Sequence, residues 1–166
     1  GSNDTVAGGD GNDTLYGNAG NDSLLGGAGN DYFSDTEGNN TLVGGDGDDR
    51  FDWVGYGAGT DRFVGGAGRD TFHTYYYYAN QGADTIAGFE GGAGGDVVDG
   101  YWNFSGLATG ANPFTTGHLR LIASGSNTLL QIDQDGGGNN WATWLTFEGI
   151  APSAFTRDNF TLGFAP

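Results

Sequence analysis

Residues 8–52 read GGDGNDTLY, GNAGNDSLL, GGAGNDYFS, DTEGNNTLV and GGDGDDRFD, five consecutive nine-residue steps of the pattern G-G-x-G-x-D-x-U-x, where U is a large apolar residue. The pattern returns at residues 65–73 (GGAGRDTFH) and 91–99 (GGAGGDVVD). Weaker copies lie at 56–64 (YGAGTDRFV) and 79–87 (ANQGADTIA), and a partial copy ends at Ala7. Self-similarity at a fixed short period is the signature of stacked repeats. The register breaks three times, through extra residues at 53–55, 74–78 and 88–90. Each break follows the x-U-x strand directly, so it should lengthen a strand or loop without disturbing a turn.

Each position has a physical reading. Gly at the first, second and fourth places permits positive φ and leaves carbonyls uncovered, so the hexapeptide is a tight turn able to aim backbone oxygens at a cation. The x-U-x that follows is a short strand whose alternation sets U on the opposite face from its neighbours. Val6, Leu15, Leu24, Phe33, Leu42, Phe51, Phe63, Phe72, Ile86 and Val98 are therefore predicted to form an inward column. Two nonapeptides then make one coil of a flattened solenoid, with turns alternating between its two edges. The fold expected is all-β, a parallel β-roll over residues 1–99 with a β-rich C-terminal cap over residues 100–166.

The composition points the same way. Of 166 residues 35 are Gly, and 21 acidic side chains against 5 basic ones give a net charge of -16. Only Glu37, Glu90 and Glu148 among the acids are Glu, so the charge is carried by Asp, a turn and metal-ligand residue. Without Lys, and with a pI near 4.1, the chain cannot neutralise a phosphate backbone, which excludes nucleic acid as a partner. No run reaches the roughly 18 apolar residues of a membrane span. The absence of Cys removes disulfide and zinc-thiolate chemistry. Residues 1–7 lack a basic and apolar leader, so no cleavable signal peptide is expected there. An aromatic content of 14% argues against wholesale disorder, so something must cancel the charge.

The sixth repeat position supplies the candidate. It is Asp4, Asp13, Asp22, Asp31, Asn40, Asp49, Asp61, Asp70, Asp84 and Asp96. Stacking sets the carboxylates of turns n and n+2 side by side, Asp13 on Asp31 and Asp31 on Asp49 along one edge, Asp4 on Asp22 and Asp22 on Asn40 along the other. Such pairs repel unless a cation lies between them. A hard divalent ion with six to eight oxygen ligands suits carboxylates and flexible turn carbonyls, and calcium fits this set better than magnesium. Zinc or copper would want His or Cys, which the repeats do not offer.

These residues resemble the RTX (repeats-in-toxin) exoproteins of Gram-negative bacteria, and the resemblance covers about residues 1–99. It implies a calcium-bound parallel β-roll holding several ions. The ligands would be the sixth-position residues and the carbonyls of the turn glycines Gly8, Gly9, Gly11, Gly26, Gly27, Gly29, Gly44, Gly45, Gly47, Gly65, Gly66 and Gly68. Asn40 departs from the pattern, and Asp35-Thr36-Glu37 replaces the Gly-Gly opening of its turn, which puts the sites containing Asn40 in doubt.

From Gly100 the period vanishes. Residues 118–123, 128–133, 141–147 and 159–164 read as strands, placed to cover the last core layer as a terminal cap. Leu119, Leu121, Leu129, Leu130, Trp144 and Phe147 would supply its apolar surface. The region resembles the C-terminal part of type I secretion substrates, with I-x-G-F at 86–89, a D-x-D-G loop at 133–136 and an N-F-x-L strand near the end. That resemblance implies an uncleaved export signal, the type I secretion machinery as partner and a secreted, extracellular location. It also implies an upstream catalytic or adhesive domain in the parent protein. The 133–140 loop begins like an EF-hand, but Trp144 stands where the bidentate Glu belongs. It reads as a plain hairpin connection, with an extra calcium site as the alternative.

Catalysis is not expected within this chain, since His73 and His118 are the only histidines and no nucleophile motif is present. The rival reading is a polysaccharide-binding module, for the layout is similar to the repeat modules of alginate epimerases and to the C-terminal domains of serralysin-type exoproteins. Arg50, Arg62 and Arg69 could meet an anionic polymer, or pair with neighbouring Asp. Tyr75 to Tyr78 with Tyr101 and Trp102 could stack sugars, or pack as an ordinary inserted strand. An adhesin, surface-layer or ice-binding role is a third reading, weakened by the lack of a regular Thr ladder. At the ninth position the odd turns carry Ala7, Leu25, Val43, Val64 and Ala87, and the even turns Tyr16, Ser34, Asp52, His73 and Asp99, so one sheet should be apolar outside and the other polar.

Overall fold

The computed structural model describes residues 1–54, 56–57, 59–76, 83–102, 104, 106–108 and 111–162, with the side chains of 75, 76, 101, 102 and 162 excepted. The aromatic platform foreseen at Tyr75–Tyr78, Tyr101 and Trp102 lies outside the described side chains.

Ten strands come from the repeats: β1 (Thr5–Asp10), β2 (Thr14–Tyr16), β3 (Ser23–Ala28), β4 (Tyr32–Ser34), β5 (Thr41–Asp46), β6 (Arg50–Val54), β7 (Arg62–Ala67), β8 (Thr71–Tyr76), β9 (Asp84–Ala87) and β10 (Val97–Trp102). Four more follow: β11 (Leu119–Ser124), β12 (Asn127–Ile132), β13 (Ala142–Glu148) and β14 (Phe160–Leu162). The odd repeat strands pair in parallel as β1-β3-β5-β7-β9 and the even ones as β2-β4-β6-β8-β10. The chain is thus a parallel β-roll, all-β as expected, with Leu24 on Leu42 and Phe33 on Phe51 in register.

Leu15, Leu24, Phe33, Leu42, Phe51, Phe63, Phe72, Ile86 and Val98 are buried and point inward. Val6 does not follow the expectation. It is 37% exposed, on the edge strand of its sheet. Aromatic rings run down the interior, Phe33 on Phe51 at 4.7 Å, Phe51 on Phe72 at 5.0 Å and Phe72 beside Phe89 at 6.0 Å.

The first insertion is absorbed in a strand. Trp53 and Val54 prolong β6, where Trp53 takes φ +69 and a bulge opens between Phe51 and Val54 while β6 still pairs with β8. The alternation of edges therefore survives. On the odd sheet Leu25 is 47% exposed and Val43 and Val64 are half-buried, whereas the even sheet carries a polar ladder in which Tyr32 donates to Asp52.

The C-terminal strands extend both sheets. β13 adds to β9 in parallel, with Phe147 beside Ile86, and β12 and β11 continue antiparallel from it. β14 adds to β10, with Phe160 beside Val98. Leu119, Leu130, Trp144 and Phe147 are buried as expected, joined by Ile132 and Leu145, while Leu121 is partly buried against the core. Leu129 differs: β12 alternates, and Leu129 falls on its half-buried outer side. Phe89 meets Phe147 at 5.0 Å and Phe155 at 5.2 Å, carrying the aromatic interior of the roll into the cap. Asn159 is the clamp between them. Its Nδ2 donates to the carbonyls of Gly92 and Asp96, and its Oδ1 accepts from the backbone N–H groups of Gly92 and Thr156.

Candidate metal centre

The five strong copies of the repeat place their turns on one edge of the roll, after β1, β3, β5, β7 and β9. The two later glycines of each turn are needed for backbone shape. Gly27 and Gly29 have φ +121 and +126, and a Cβ on either would strike the carbonyl oxygens of Gly9 and Gly11 in the coil below. The equivalent pairs Gly45/Gly47 and Gly66/Gly68 repeat this, and Gly9 and Gly11 share the conformation. The first glycine is needed for a different reason. A Cβ on Gly26 would collide with Asp31 Oδ2 and stand 2.7 Å from the Gly44 carbonyl oxygen. Gly44 is related in the same way to Asp49 Oδ2 and the Gly65 carbonyl at 2.5 Å, and Gly8 to Asp13 Oδ2 and the Gly26 carbonyl at 2.8 Å. Gly65 faces Asp70 Oδ2.

The sixth-position residues stack at intervals of two turns, and their two oxygens divide the work. Oδ1 accepts the backbone N–H of the sixth residue one coil earlier: Asp13 donates to Asp31 at 2.8 Å, Asp31 to Asp49 at 2.8 Å, Asp49 to Asp70 at 2.9 Å and Asp70 to Asp96 at 2.9 Å. On the other edge Asp4 donates to Asp22, Asp22 to Asn40, Asn40 to Asp61 and Asp61 to Asp84. Oδ2 is left over. Those of Asp13, Asp22, Asp31, Asp49 and Asp70 are buried without a hydrogen-bond partner. A buried carboxylate oxygen with no donor is costly, and here each faces the first glycine of its turn, with a carbonyl oxygen at the rim of the gap for Asp13, Asp31 and Asp49. Among the described residues no three Asp, Glu, His or Cys side chains form a cage of their own. The donors are carboxylate oxygens plus main-chain carbonyls, the all-oxygen set that a calcium ion takes.

Asp96 is different, because its Oδ2 accepts the Glu90 N–H at 2.8 Å. The second edge differs too. There Gly17 faces Asp22 Oδ2 at 2.7 Å and also Asp35 Oδ2. Asp35, at the first repeat position, thus sets a carboxylate oxygen where the strong edge presents a carbonyl, in the same turn as the neutral Asn40. Its side chain is buried and its Oδ2 has no partner. Sequence reading had noticed only that Asp35 broke the Gly-Gly pattern.

A second ladder escaped the sequence reading altogether. At the fifth position Asn21 and Asn30 donate backbone N–H groups to the side-chain oxygens of Asn3 and Asn12, and Asn39, Asp48, Thr60 and Arg69 repeat this on Asn21, Asn30, Asn39 and Asp48. The recurrence of Asn at 3, 12, 21, 30 and 39 was the available signal.

The candidate arginines do not converge. Arg50 pairs with Asp52 at 2.8 Å on β6, Arg62 with Glu148 at 2.7 Å on β7, and Arg69 donates to the Gly95 carbonyl at the turn edge. His73 Nδ1 lies 2.7 Å from Asp99 Oδ2, and His118 bonds Thr116.

The repeat model described as RTX calcium-binding nonapeptide repeat (4 copies) matches residues 1–33, 26–52 and 56–75. This array is built of RTX nonapeptides. Its turns carry the buried, undonated carboxylate oxygens that such a calcium-binding repeat requires. No curated protein matches the chain. Among solved structures, the RTX roll with its cap is similar to the AlgE6R3 subunit of the Azotobacter vinelandii mannuronan C5-epimerase, at 25% identity and TM-score 0.49, over 94% of this chain and 81% of that one. It is similar to the AlgE6R2 subunit of the same epimerase at 23% identity and TM-score 0.41, over 97% and 94%. The extracellular lipase LipA from Serratia marcescens matches at 15% identity and TM-score 0.45, over 98% of this chain and 38% of the lipase.

Burial sets the electrostatics of the metal-free RTX array. It pushes Asp70 up to about 7, with Asp96 and Asp49 adding repulsion, and Asp49 up to about 6, with Asp31 and Asp48 adding to it. Asp35 rises to about 6, and Asp61 and Asp96 are raised as well, all chiefly by burial. An unfolded Asp titrates near 3.9. Between about pH 4 and 7 the metal-free fold therefore binds more protons than the unfolded chain, and its stability falls as pH rises through that window. Calcium has to displace those protons. Unfolded Asp is already ionised at pH 5.5 and the calcium-loaded sites hold no proton, so protons stabilise only the metal-free fold. The calcium midpoint for folding by circular dichroism should therefore be no higher at pH 5.5 than at pH 8, and a midpoint several-fold higher at pH 5.5 would contradict the site's electrostatics.

Substitutions separate ladder from ligand. Asp31→Asn keeps an Oδ1 for the Asp13 N–H, as Asn40 does for Asp22, but replaces the free carboxylate oxygen with a donor. We expect it to raise the calcium midpoint about tenfold or more, and Asp4→Asn, at the exposed first coil, less than twofold. Equal shifts would show that Asp31 acts only through its hydrogen bond.

Proposed function

We propose that this chain is the calcium-triggered folding module of a secreted bacterial exoprotein, exported unfolded by a type I secretion system and folded on meeting extracellular calcium. The observation that carries the reading is the row of buried Oδ2 atoms without donors on Asp13, Asp31, Asp49 and Asp70. Where calcium is scarce they are uncompensated charge and oppose folding; where it is millimolar they become ligands. Calcium supplies charge neutralisation and cross-coil bridging. The chain supplies the glycine gaps, the carbonyl rims and the column of Phe and Leu that fixes coil spacing. Any catalytic or adhesive domain of the parent protein would lie outside these residues. A reporter fused ahead of Gly1 and co-expressed with a type I exporter in a Gram-negative host should accumulate in the medium, and deletion of residues 159–166 should retain it in the cell. Retention of the intact fusion beside a working exporter would overturn the export reading.

One observation favours an anionic polysaccharide as an additional ligand. Arg69 and Arg157 line the same open groove with Phe160 and Thr161. Saturable binding of a uronic-acid polymer by the calcium-loaded chain, weakened about tenfold in R69A/R157A, is the expected result; no saturable binding would remove this reading.

A further inference from the structure

Outside the roll, the connection from β12 to β13 is a hairpin, as its pairing of Ile132 with Ala142 shows. Its first residue is unusual. Asp133 is only 1% exposed, in a loop whose neighbours Gln134 and Asp135 are open to solvent. One carboxylate oxygen, Oδ2, accepts the backbone N–H groups of Gly138 at 2.5 Å and Asn139 at 3.1 Å, so the loop is wrapped around this carboxyl group. The other, Oδ1, is buried with no hydrogen-bond partner.

The loop carries further oxygens. Gly136 and Gly138 take φ +68 and +75, bending the chain back on itself. A Cβ on Gly137 would lie 3.1 Å from Asp135 Oδ1, which accepts the Gly137 N–H at 3.0 Å, and 3.3 Å from Asn139 Oδ1, so these two side-chain oxygens flank Gly137. The Asp135 side chain also interacts directly with the Asp133 carboxyl group. Two carboxyl groups in contact require a cation or a shared proton. Among the described residues neither carboxylate is ion-paired. The nearby Arg120 is turned instead onto the Trp141 ring at 4.0 Å and to Gln131. Trp141 in turn donates to the Gly138 carbonyl at 3.1 Å and closes the far end of the loop.

We propose that residues 133–139 form a calcium site separate from the roll, with Asp133, Asp135 and Asn139 as side-chain ligands. The donor set is all oxygen, mounted on a flexible glycine-rich turn, which suits calcium rather than a rigid octahedral ion. With Trp144 in place of a bidentate Glu, the site is weaker than a sensor EF-hand and matched to extracellular, millimolar calcium. Its role follows from position. The loop leads directly into β13, the strand that seats the cap on β9, so calcium there would order the cap as it orders the roll.

The test uses the full chain with calcium as the only added ion. Asp135 is exposed, so Asp135→Asn should still fold in saturating calcium, at a calcium midpoint by circular dichroism raised at least twofold over the unsubstituted chain. Native mass spectrometry of the calcium-loaded proteins should then show one ion fewer in the variant. Backbone amides of Gly137, Gly138 and Asn139 should shift with calcium in the unsubstituted chain and respond at about tenfold higher calcium in the variant. An unchanged ion count overturns the proposal. So does a count lower by one with loop amides that ignore calcium, which would place the lost ion elsewhere.

Discussion

Stripped of calcium by excess EGTA at pH 7.5, the chain should lose its β-sheet circular dichroism and become an expanded, protease-sensitive coil, and millimolar calcium should restore it while equimolar magnesium should not. The net charge is -16, and the roll concentrates it in stacked turns where Asp22, Asp31, Asp49, Asp70 and Asp84 are all buried. Each nonapeptide buries one large side chain, worth about 1.5–3 kcal/mol. Fixing nine glycine-rich backbone units costs several times that. Hydrogen bonding in the sheets and ladders offsets part of the difference, but the free Oδ2 atoms add an unfavourable term that only a cation or protons can remove. Binding free energy therefore becomes folding free energy. Magnesium is excluded because it holds its own waters and demands a tighter octahedron than mixed carboxylate and carbonyl oxygens provide. A native spectrum unchanged by chelator would contradict this account.

A chain truncated at Gly100 should fail to fold even in millimolar calcium, remaining disordered or aggregating. The truncation strips β13 from β9 and β14 from β10, leaving two open sheet edges in place of paired ones. It also removes Phe147, Phe155 and Phe160, and with them the aromatic cover over Phe89 and the last coil. Calcium acts at the turns and cannot replace that layer. Asn159→Ala offers a graded version, since it strands the part-buried N–H of Gly92 and the buried carbonyl of Asp96. We expect it to cost about 1–3 kcal/mol and to raise the calcium midpoint without abolishing folding. Monomeric folding of the truncated array at the unchanged midpoint would show that residues 101–166 are not a cap.

The roll was legible because its physics is local and repeated. Gly at the second and fourth positions answers a positive φ, Gly at the first answers the space taken by Asp Oδ2, and the U residue answers the interior; each demand recurs every nine residues. The cap strands were legible from alternation alone, but their partners were not. The Arg62–Glu148 pair spans 86 residues, and no local pattern announces it. Asn159 looked like part of a strand motif, and its clamp on Gly92 appears only once β14 lies beside β10. The division of labour between Oδ1 and Oδ2 was likewise hidden, since the sequence suggests two facing carboxylates where the fold gives one oxygen to a backbone N–H. Asp35 shows the limit most clearly. As a deviation from Gly-Gly it reads as a damaged repeat, yet it delivers a carboxylate beside Asp22 in the turn where Asn40 has lost one.

The central claim is that calcium ions sit between coils at the free carboxylate oxygens of the strong edge. Anomalous diffraction from crystals grown in millimolar calcium tests it directly. The account predicts peaks about 2.3–2.6 Å from Oδ2 of Asp31 and Asp49, each also in contact with main-chain carbonyl oxygens of the flanking turns. A folded roll with no anomalous peak within coordination distance of those oxygens would contradict it.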